Sequence, residues 1–481
     1  MNFKEISDKV EKYLATHREE IFARLAALCE IPSVRGQAAP GEPFGHEVGR
    51  AMRLAASFYE QEGFPVRQDK EGRFALAGFG TGKKKIGLFG HADVVPAGEG
   101  WTQTTAFVPC RRERSFFARG CEDNKGGIVA ALYCMKAIRA LSLPFRARAE
   151  AFIGTAEETG MEDIKAYTAA HPMPDASLVP DNAFPFCLGE KGRAEGWLVS
   201  PPLREIIDFC GGEALNQVLD NVRVTLRYRP ALAEDLLARA AGKADITAEV
   251  CPEKEKLILT AHGVSAHASS PSASRNAAGI AATFLSECPE LCPDERATLQ
   301  VAGEILADPM GAALGIGGED PHFGSRTAAN GVARFRDGRL FLSEDIRYGT
   351  GVSFAELSAE IGRSLAGTGW EFRTENAADG FSHPEDGDMP RVLFEAFTAA
   401  GGSADARPYY SGGGTYAKHL RNAYSCGVTY RAPGNTPPVE LPPGHGGVHE
   451  ADEMIAEEEY LAGIRMLTVM TLAVAENLTQ E

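Results

Sequence analysis

The sequence predicts an α/β protein with a largely parallel central sheet, interrupted by an inserted α+β domain. Strand-like and helix-like segments alternate up to about residue 190, and the pattern then changes until about residue 380. Strands separated by helices are typical of a parallel sheet with helices on both faces. The length of 481 residues also exceeds what one hydrophobic core usually serves, which favours two or more domains.

Four segments in the first 190 residues support the α/β prediction. Strands are predicted in KKKIGLFGH, RARAEAFIGTAEE and DASLVPDN, and a helix in GGIVAALYCMKAIRALSL. Ionisable residues stand at or just after the ends of the three strands: His91 and Asp93, Glu157 and Glu158, and Asp181. Ligands bind beyond the carboxyl ends of parallel strands. We therefore expect these side chains to form one site at one edge of the sheet.

The change in pattern after residue 190 indicates a second domain. Strand-like runs such as NVRVTLRY and EKLILTAHG mix there with helix-like runs such as AGIAATFLSECPEL and FAELSAEIGRSL. Around FSHPEDGDMPRVLFEAF the alternating pattern returns and continues to the end of the chain. We expect the first domain in residues 1–190 and 381–481, and the inserted domain in residues 191–380.

Composition narrows the classes of partner. The formal net charge of −17 argues against binding to nucleic acid or to an anionic membrane, since both need a basic surface. The ten cysteines contain no C-x-x-C pair, which favours reduced, packed thiols. The N-terminal segment lacks the apolar core of a signal peptide, and LTVMTLAVA is shorter than the ~20 residues that span a bilayer. A cytoplasmic protein is expected.

The adjacent glutamates Glu157 and Glu158 indicate a nearby cation. Two neighbouring carboxylates can stay ionised beside a divalent metal ion. One can then bind the metal while the other, on the opposite face of the chain, stays free as a base. A solvated strand end is the alternative interpretation of the pair by itself.

Other residues near the predicted strand ends extend this interpretation. His91 stands two residues before Asp93, and a histidine ligand needs its second nitrogen hydrogen-bonded, often to a carboxylate. Asp123 lies in the glycine-rich turn RGCEDNKGG, where it could bridge two cations or cap a helix. Asp181 follows a strand. Taken alone, His91 could equally be an ordinary, partly buried histidine.

Two histidines near the C-terminus have the four-residue spacing of a helical zinc pair, His445 and His449. Glycines surround His445 and argue against a helix there, so His445 is assigned to a loop or to an outer contact. His449 stands directly before the helix-forming stretch EADEMIAEEEY and is the better ligand candidate. The complete set suits two divalent metals about 3.5–4 Å apart. It contains no thiolate, which disfavours a closed structural zinc site.

Nine ordered motifs resemble those of the metallopeptidases that include aminoacylase and carboxypeptidase G, and among them most closely the PepV-type dipeptidases. The motifs are HADVVPAGEGW, RGCEDNKGG, GTAEETG, PDNAFPFCLGEKG, GGEALNQV, GVSAHASSPSASRNA, DIRY, GGGTY and HEADE. The resemblance extends from Ile31 to about Glu453. It implies a catalytic domain with a dinuclear metal site, and it makes the inserted domain a lid.

The resemblance also implies a metal-ligand set. Asp123 would bridge two divalent ions, one completed by His91 and Asp181, the other by Glu158 and His449. Zinc is the expected metal, and an oxygen-rich site with two histidines also accepts manganese or cobalt.

Catalytic and substrate-binding roles follow from the same resemblance. Glu157 would be the general base for a metal-bridging water, Asp93 would orient His91, and His267 in the lid would stabilise the oxyanion. The residues that would hold the substrate's backbone and carboxylate are Asn216, Arg347, Gly413, Gly414 and Thr415. The sequence departs from the family pattern at Ala156, Ser274 and Lys418, which bears on specificity.

The expected function is that of a monomeric, metal-dependent dipeptidase acting on unblocked small peptides. One alternative is an amidohydrolase of N-acyl amino acids on the same scaffold. A second alternative is a catalytically silent metal-binding protein. The requirement for a free α-amino group distinguishes the first two, and the presence of Glu157 beside a full ligand set argues against the third.

Overall fold

The computed structural model describes residues 1–251 and 255–480, and the chain divides into two compact units. Unit 1 comprises Met1–Gly189, His383–Tyr409 and Thr415–Glu481. Unit 2 comprises Glu190–Ser382 and Tyr410–Gly414. Unit 2 therefore interrupts unit 1 twice along the chain.

The α-helices of the described residues are spread over both units. They are α1 (Phe3–Thr16), α2 (Arg18–Cys29), α3 (His46–Gln61), α4 (Lys125–Ala140), α5 (Glu162–Ala170), α6 (Pro230–Ala240), α7 (Ala277–Ser286), α8 (Pro293–Leu306), α9 (Phe354–Ser364), α10 (Asp388–Ala399) and α11 (Glu457–Gln480). The helices predicted from GGIVAALYCMKAIRALSL, AGIAATFLSECPEL and FAELSAEIGRSL are α4, α7 and α9.

The β-strands are mostly short. They are β1 (Val66–Gln68), β2 (Ala75–Phe79), β3 (Lys85–His91), β4 (Cys110–Arg112), β5 (Ser115–Phe117), β6 (Arg148–Gly154), β7 (Ala176–Asn182), β8 (Cys187–Glu190), β9 (Gly192–Val199), β10 (Ile206–Cys210), β11 (Asn221–Arg227), β12 (Ile246–Cys251), β13 (Lys256–His262), β14 (Glu319–Asp320), β15 (Gly324–Ser325), β16 (Thr327–Ala329), β17 (Ala333–Arg336), β18 (Arg339–Tyr348), β19 (Glu371–Ala378), β20 (Phe381–Ser382), β21 (Tyr409–Ser411), β22 (Ala423–Gly427) and β23 (Met454–Ala456).

Unit 1 is built on a six-stranded sheet with the order β1-β2-β6-β3-β7-β22. β3 runs parallel to both β6 and β7, and β22 runs parallel to β7, while β1 and β2 form an antiparallel edge. Every residue of β3 is buried, as expected for a central strand of a parallel sheet. The predicted α/β fold with a largely parallel central sheet is confirmed.

Helix α11 is long and apolar enough to cross a membrane by length and composition, but 78% of its apolar window is buried inside the protein. The same length and apolar composition are found in buried core helices of proteins that do not cross a membrane. The sequence-based expectation considered only LTVMTLAVA, whereas the apolar helix extends over Glu457–Thr479. Residues on both sides of LTVMTLAVA belong to the same helix.

The segment after His449 differs from the predicted helix. Residues 450–453 are irregular, with an isolated bridge between Ala451 and His445, and α11 begins only at Glu457. Between them, β23 pairs antiparallel with β5. The residues Met454, Ile455 and Ala456 are buried in this pairing. Tertiary pairing and burial therefore override the local helix preference of EADEMIAEEEY.

Unit 2 contains two larger antiparallel sheets. One has the order β10-β11-β13-β12, and the other has the order β16-β18-β9-β19, with β17 also paired to β18. Helix α9 begins with a capping box, in which Ser353 and Glu356 satisfy each other's backbone N–H groups. The predicted strands NVRVTLRY and EKLILTAHG are the neighbours β11 and β13.

Candidate metal centre

Three neighbouring strands of unit 1 bring ionisable side chains to one edge of the sheet. β3 ends at His91, which pairs in register with Gly154 at the end of β6. The acidic pair Glu157 and Glu158 follows that strand, and Asp181 is the penultimate residue of β7. The parallel arrangement thus places residues that are distant in the sequence side by side.

Two overlapping groups of side chains could each hold a metal ion, since the ligand atoms within each group all lie within 4.8 Å of one another. One group consists of His91, Asp123 and Glu158, and the other of His91, Glu157 and Asp181. The cluster therefore contains four of the proposed ligands together with the proposed base. By distance alone Glu157 could also bind a metal, so its assignment as a base depends on the family resemblance.

His449 completes the cluster from the C-terminal part of unit 1. Its Nε2 atom lies 3.0 Å from Oδ2 of Asp123 and 3.3 Å from Oε2 of Glu158. The other carboxylate oxygen of Asp123, Oδ1, lies 3.0 Å from Nε2 of His91. The two oxygens of Asp123 therefore face two different histidines, as a bridging carboxylate would.

The orientation of His91 leaves one nitrogen directed at the carboxylates. Its Nδ1 atom is 2.9 Å from the backbone carbonyl oxygen of Asp93, which can only accept a hydrogen bond, so Nδ1 carries the proton. The imidazole is completely buried, and its Nε2 atom faces carboxylate oxygens, 3.0 Å from Oδ1 of Asp123 and 3.6 Å from Oδ1 of Asp181. A buried lone pair among carboxylates fits a metal ligand.

The carboxylate of Asp93 has a role separate from that of its backbone carbonyl. Its oxygens accept hydrogen bonds from the backbone N–H groups of Glu157 and Glu158, at 3.2 and 3.1 Å. Its Oδ1 also lies 3.5 Å from Nδ1 of His91. The backbone carbonyl of Asp93 thus orients His91, while its side chain holds the backbone of the acidic pair.

The pKa values of the cluster are strongly shifted. Burial and the negative charge of Asp123 raise the pKa of Glu158 to about 7. Burial and the charge of Asp181 raise the pKa of Glu157 well above its usual range. Hydrogen bonds to Asp123 and Glu158 raise the pKa of His449 to about 11. The carboxylates of the cluster thus concentrate negative charge in a largely buried place. A divalent cation bound there would offset this charge and displace the proton from His449.

Asn124 is a site residue that the sequence analysis missed. Its Nδ2 donates to Oδ1 of Asp181 at 2.8 Å and to the carbonyl oxygen of Pro180, and its Oδ1 accepts from the backbone N–H of His91. One amide therefore connects two strand ends with the turn that carries Asp123. A Cβ atom at Gly127 would collide with this amide, which explains the glycine there. The position beside Asp123 was the only signal in the sequence.

A second missed residue, Asp163, supports the acidic pair. Its Oδ2 accepts from the backbone N–H groups of Thr155 and Ala156 at 2.6 and 3.0 Å, and from the Tyr416 hydroxyl at 2.5 Å. Ala156, where the family often has an aspartate, is buried in an apolar cluster with Phe44 and Val48. The apolar neighbours account for an alanine at that position.

Glu453 supports the turn that carries Asp123. It is fully buried, and its carboxylate accepts hydrogen bonds from the backbone N–H groups of Gly120, Glu122 and Asp123. Nη1 of Arg119 donates to the same carboxylate at 2.8 Å. Glu453 belongs to the HEADE motif, but its role becomes visible only in the structure.

Comparison with known proteins identifies the family. The model of peptidase family M20/M25/M40 matches residues 87–473, which is most of the chain. The chain belongs to this family. This finding confirms the resemblance drawn from the nine motifs, and it makes the protein a hydrolase that acts on peptide bonds.

Relatives of this M20 peptidase include proteins named as dipeptidases. The Bacillus subtilis (strain 168) protein named "Putative dipeptidase YtjP" is 28% identical over 458 residues, covering 92% of this chain and 95% of its own. The Staphylococcus saprophyticus protein named "Putative dipeptidase SSP1012" is 26% identical, covering 88% and 92%. The crystal structure of human carnosine dipeptidase 1 has the same fold, with a TM-score of 0.58, 17% identity and coverage of 98% of this chain and 100% of its own.

Unit 2 of the M20 peptidase brings two residues with predicted roles close together, Asn216 for substrate binding and His267 for stabilising the oxyanion. The segments around Asn216 and His267 are paired, with the backbone N–H of Ala268 donating to the carbonyl oxygen of Asn216 at 2.9 Å. His267 is exposed, and its Nδ1 lies 2.7 Å from Oγ of Ser269.

Arg347 is buried in unit 2 and held by an ion pair. Its Nε and Nη2 donate to the carboxylate of Asp345 at 2.5 and 3.1 Å, and its Nη1 donates to the carbonyl oxygen of Gly412 at 3.2 Å. Gly413, which is predicted to bind the substrate, is exposed and follows Gly412 directly in the chain. Arg347 and the glycine loop Tyr410–Gly414 therefore form one local structure.

Gly414 and Thr415 lie where the chain passes from one unit to the other. Gly414 ends the second segment of unit 2, and Thr415 begins the last segment of unit 1. The Thr415 hydroxyl caps the 3₁₀ helix Tyr416–His419 by accepting from the backbone N–H of Ala417 at 3.1 Å. Its side chain thus already has a structural role.

Proposed function

We propose that this M20 peptidase is a metal-dependent dipeptidase that hydrolyses unblocked dipeptides. The observation that carries the proposal is the position of Asp123, whose two carboxylate oxygens face His91 and His449 beside an acidic pair. The names of its relatives support a dipeptide as substrate.

The residues of the cluster would hold two divalent metal ions. Asp123 would be shared, His91 and Asp181 would bind one ion, and Glu158 and His449 would bind the other. Zinc is proposed, with manganese and cobalt acceptable to the same oxygen-rich set. When bound, such a pair polarises the scissile carbonyl and lowers the pKa of a water molecule to about 7.

Glu157 would transfer the proton. Its carboxylate takes a proton from the attacking water and delivers it to the nitrogen of the leaving amine. Asp93 fixes the backbone of Glu157 through the 3.2 Å hydrogen bond, so the base is held in place before substrate binds.

Residues of unit 2, together with Thr415 at the start of the last segment of unit 1, would bind the substrate and stabilise the transition state. His267 donates a hydrogen bond to the developing oxyanion. Asn216 holds the peptide backbone, together with Gly413, Gly414 and Thr415. The Nη1 group of Arg347 binds the terminal carboxylate in place of the Gly412 carbonyl oxygen. Unit 1 would thus be the catalytic domain and unit 2 the lid.

We further propose a monomer in the cytoplasm. All ten cysteines are free thiols, and six of them are buried: Cys29, Cys121, Cys134, Cys187, Cys288 and Cys426. Free thiols suit a reducing compartment. Light scattering of the purified protein would test the monomer, and fractionation of the producing cells would test the location.

The experiment compares a free dipeptide with its N-acetylated counterpart, using protein stripped of metal and reloaded with zinc or manganese. Preferred cleavage of the free dipeptide would support the dipeptidase. Preferred cleavage of the acetylated compound would show an N-acyl amino acid amidohydrolase. Cleavage of neither by metal-loaded protein would favour a catalytically silent metal-binding protein.

A further inference from the structure

Arg347, the residue proposed to bind the terminal carboxylate of the substrate, has all three guanidinium nitrogens engaged. Nε and Nη2 donate to Asp345, and Nη1 donates to the carbonyl oxygen of Gly412. Arg193 donates to the same Asp345 carboxylate at 3.1 and 2.9 Å and forms a second ion pair with Glu195. The two arginines and the two carboxylates therefore balance each other's charge. A substrate carboxylate beside Arg347 needs a further positive charge.

Lys191 supplies such a charge in unit 2. The residue is only 5% exposed, and its Nζ atom donates to the carbonyl oxygen of Ser325 at 2.7 Å. Within residues 1–251 and 255–480 it forms no ion pair, and Ser325 is the one acceptor of its ammonium group. An ammonium group has three N–H donors, so two are left for a ligand. A buried charge without a charged partner is unfavourable, and a bound anion would compensate it.

The strand register places Lys191 beside Arg347. Lys191 stands two residues before Arg193, which pairs with Arg347 between β9 and β18. Ser325 stands two residues before Thr327, which pairs with Arg347 on the other side of β18. Because β18 lies between β9 and β16, the Lys191 side chain passes over the end of β18 next to Arg347 to reach Ser325.

The electrostatic surroundings of Lys191 favour an anion. Burial and the positive charge of Arg347 lower the pKa of the Lys191 ammonium group. The charge of Asp320 acts in the opposite direction, but its carboxylate forms no ion pair with Lys191. The oxygens of Asp320 instead accept hydrogen bonds from the backbone N–H groups of residues 322, 323 and 351. An anion bound between the two cationic groups would stabilise both charges.

The glycine loop Tyr410–Gly414 is attached to both cationic residues. The backbone N–H of Lys191 donates to the carbonyl oxygen of Ser411 at 3.0 Å, and Nη1 of Arg347 donates to that of Gly412 at 3.2 Å. Glycine lets a ligand approach the backbone closely. Lys191, Arg347 and this loop therefore form one part of unit 2 that can receive a carboxylate.

We propose that Lys191 binds the terminal carboxylate of the substrate together with Arg347. The inference rests on the proposed dipeptidase function and adds the residue that supplies the uncompensated positive charge. One carboxylate oxygen accepts from Nη1 of Arg347 and the other from Nζ of Lys191, whose contact with Ser325 is kept. Lys191 thus makes a free terminal carboxylate a requirement for tight binding.

A dipeptide and its amide isolate the charge of the terminal carboxylate. Alanyl-alanine and alanyl-alaninamide share the scissile bond and the free α-amino group and differ only at the terminal group. We expect metal-loaded wild-type protein to prefer alanyl-alanine. The Lys191→Met variant should lower kcat/KM for alanyl-alanine by about ten- to hundredfold, mainly through KM, since a hydrogen bond between charged groups is lost. Cleavage of the amide, which offers no negative charge to Lys191, should be nearly unchanged.

Two further variants separate the charge of Lys191 from its role in the fold. Lys191→Gln removes the charge but keeps an N–H donor for Ser325, and it should behave like Lys191→Met. Lys243→Met removes an exposed lysine of unit 2 and should leave both activities unchanged. Metal content and thermal unfolding show which variants are intact. A Lys191 that only supports the fold would lower cleavage of the acid and the amide together.

Several outcomes would overturn the inference. Wild-type protein that cleaves the acid and the amide equally would do so without any variant. An intact Lys191→Met or Lys191→Gln protein that keeps the wild-type preference would do so as well, as would an equal effect of Lys243→Met. A loss confined to the preference for alanyl-aspartate over alanyl-asparagine would assign Lys191 to a side-chain carboxylate instead.

In each of these cases dipeptide hydrolysis by the wild-type protein persists, so the proposed function stands while the inference fails. Absence of any cleavage by metal-loaded wild-type protein would instead remove the proposed function, and the inference with it.

Discussion

The Nε2 atom of His449 lies 3.0 Å from the Oδ2 atom of Asp123. His449 is reached only after the chain has passed through unit 2 and returned to unit 1. Its backbone has a φ of 64°, in the left-handed region that few non-glycine residues adopt. The late segment of unit 1 thus supplies the imidazole that completes the cluster formed by the early strands.

Removal of His449 should weaken metal binding. The His449→Gln variant is expected to bind zinc at least about tenfold more weakly, since loss of one contributing group commonly costs that much. Metal content after dialysis against limiting zinc measures the effect. His445→Gln is the control, because His445 contacts Asp452 and not the cluster. Equal metal loss in both variants would contradict the assignment of His449 as the ligand.

Neutralisation of Glu157 should abolish turnover without loss of metal. Glu157→Gln keeps the side-chain size but removes the proton acceptor, so kcat should fall by about 10²- to 10⁴-fold. Steady-state kinetics and metal analysis on the same preparation test both parts. Glu162→Gln, which changes an exposed nearby carboxylate, should leave kcat unchanged. Substantial turnover by the Glu157→Gln variant would exclude Glu157 as the base.

The hydrogen bond from Tyr416 to Asp163 should affect both stability and rate. Tyr416→Phe removes one of the donors that hold Asp163, and the unfolding free energy should fall by about 1–3 kcal/mol. Because Asp163 also holds the turn before the acidic pair, kcat should fall while metal content stays constant.

Tyr59→Phe is the control for that prediction. Tyr59 is buried, and its hydroxyl donates to the carbonyl oxygen of Ile128 at 3.0 Å, with no contact to the acidic pair. It should lose similar stability without a change in kcat. Unchanged kcat in the Tyr416→Phe variant would show that the hydrogen bond stabilises the fold only.

Stability should decrease with rising pH because of Glu344 in unit 2. This carboxyl is 2% exposed, and its Oε1 has no hydrogen-bond partner among the described residues. Burial and the charge of Asp345 raise the pKa of Glu344 from 4.5 to about 8. The neutral form of Glu344 is therefore favoured in the folded state. Its contribution to the stability of the fold is complete below about pH 4.5, the pKa of this carboxyl in the unfolded chain. It is lost as pH rises from about 4.5 to about 8.

The Glu344→Gln variant should remove this dependence. At pH 8 the variant should be more stable than wild type by a few kcal/mol, on the order of 1.4 kcal/mol per unit of pKa shift at most. At pH 4, below the unfolded pKa, the two should be nearly equal. Urea unfolding at both pH values measures the difference, with the exposed Glu371→Gln as control. Equal stability at pH 8 would show that Glu344 is not held neutral by its surroundings.

The amino-acid sequence by itself determined the fold class and the family. Apolar runs such as that of β3 alternate with helical periodicity, and this pattern is a local property of the chain. The candidate ligands were recognisable because they stand at strand ends inside ordered motifs. Such features require no knowledge of long-range contacts.

The tertiary structure alone decided which groups support the site. Asn124, Asp163 and Glu453 are polar residues whose partners are brought near only by folding, so no local pattern indicates their role. The same holds for β23, where pairing with β5 replaces a locally favoured helix. Side-chain hydrogen bonds and strand pairing join distant parts of the chain, and sequence periodicity reports only on neighbours.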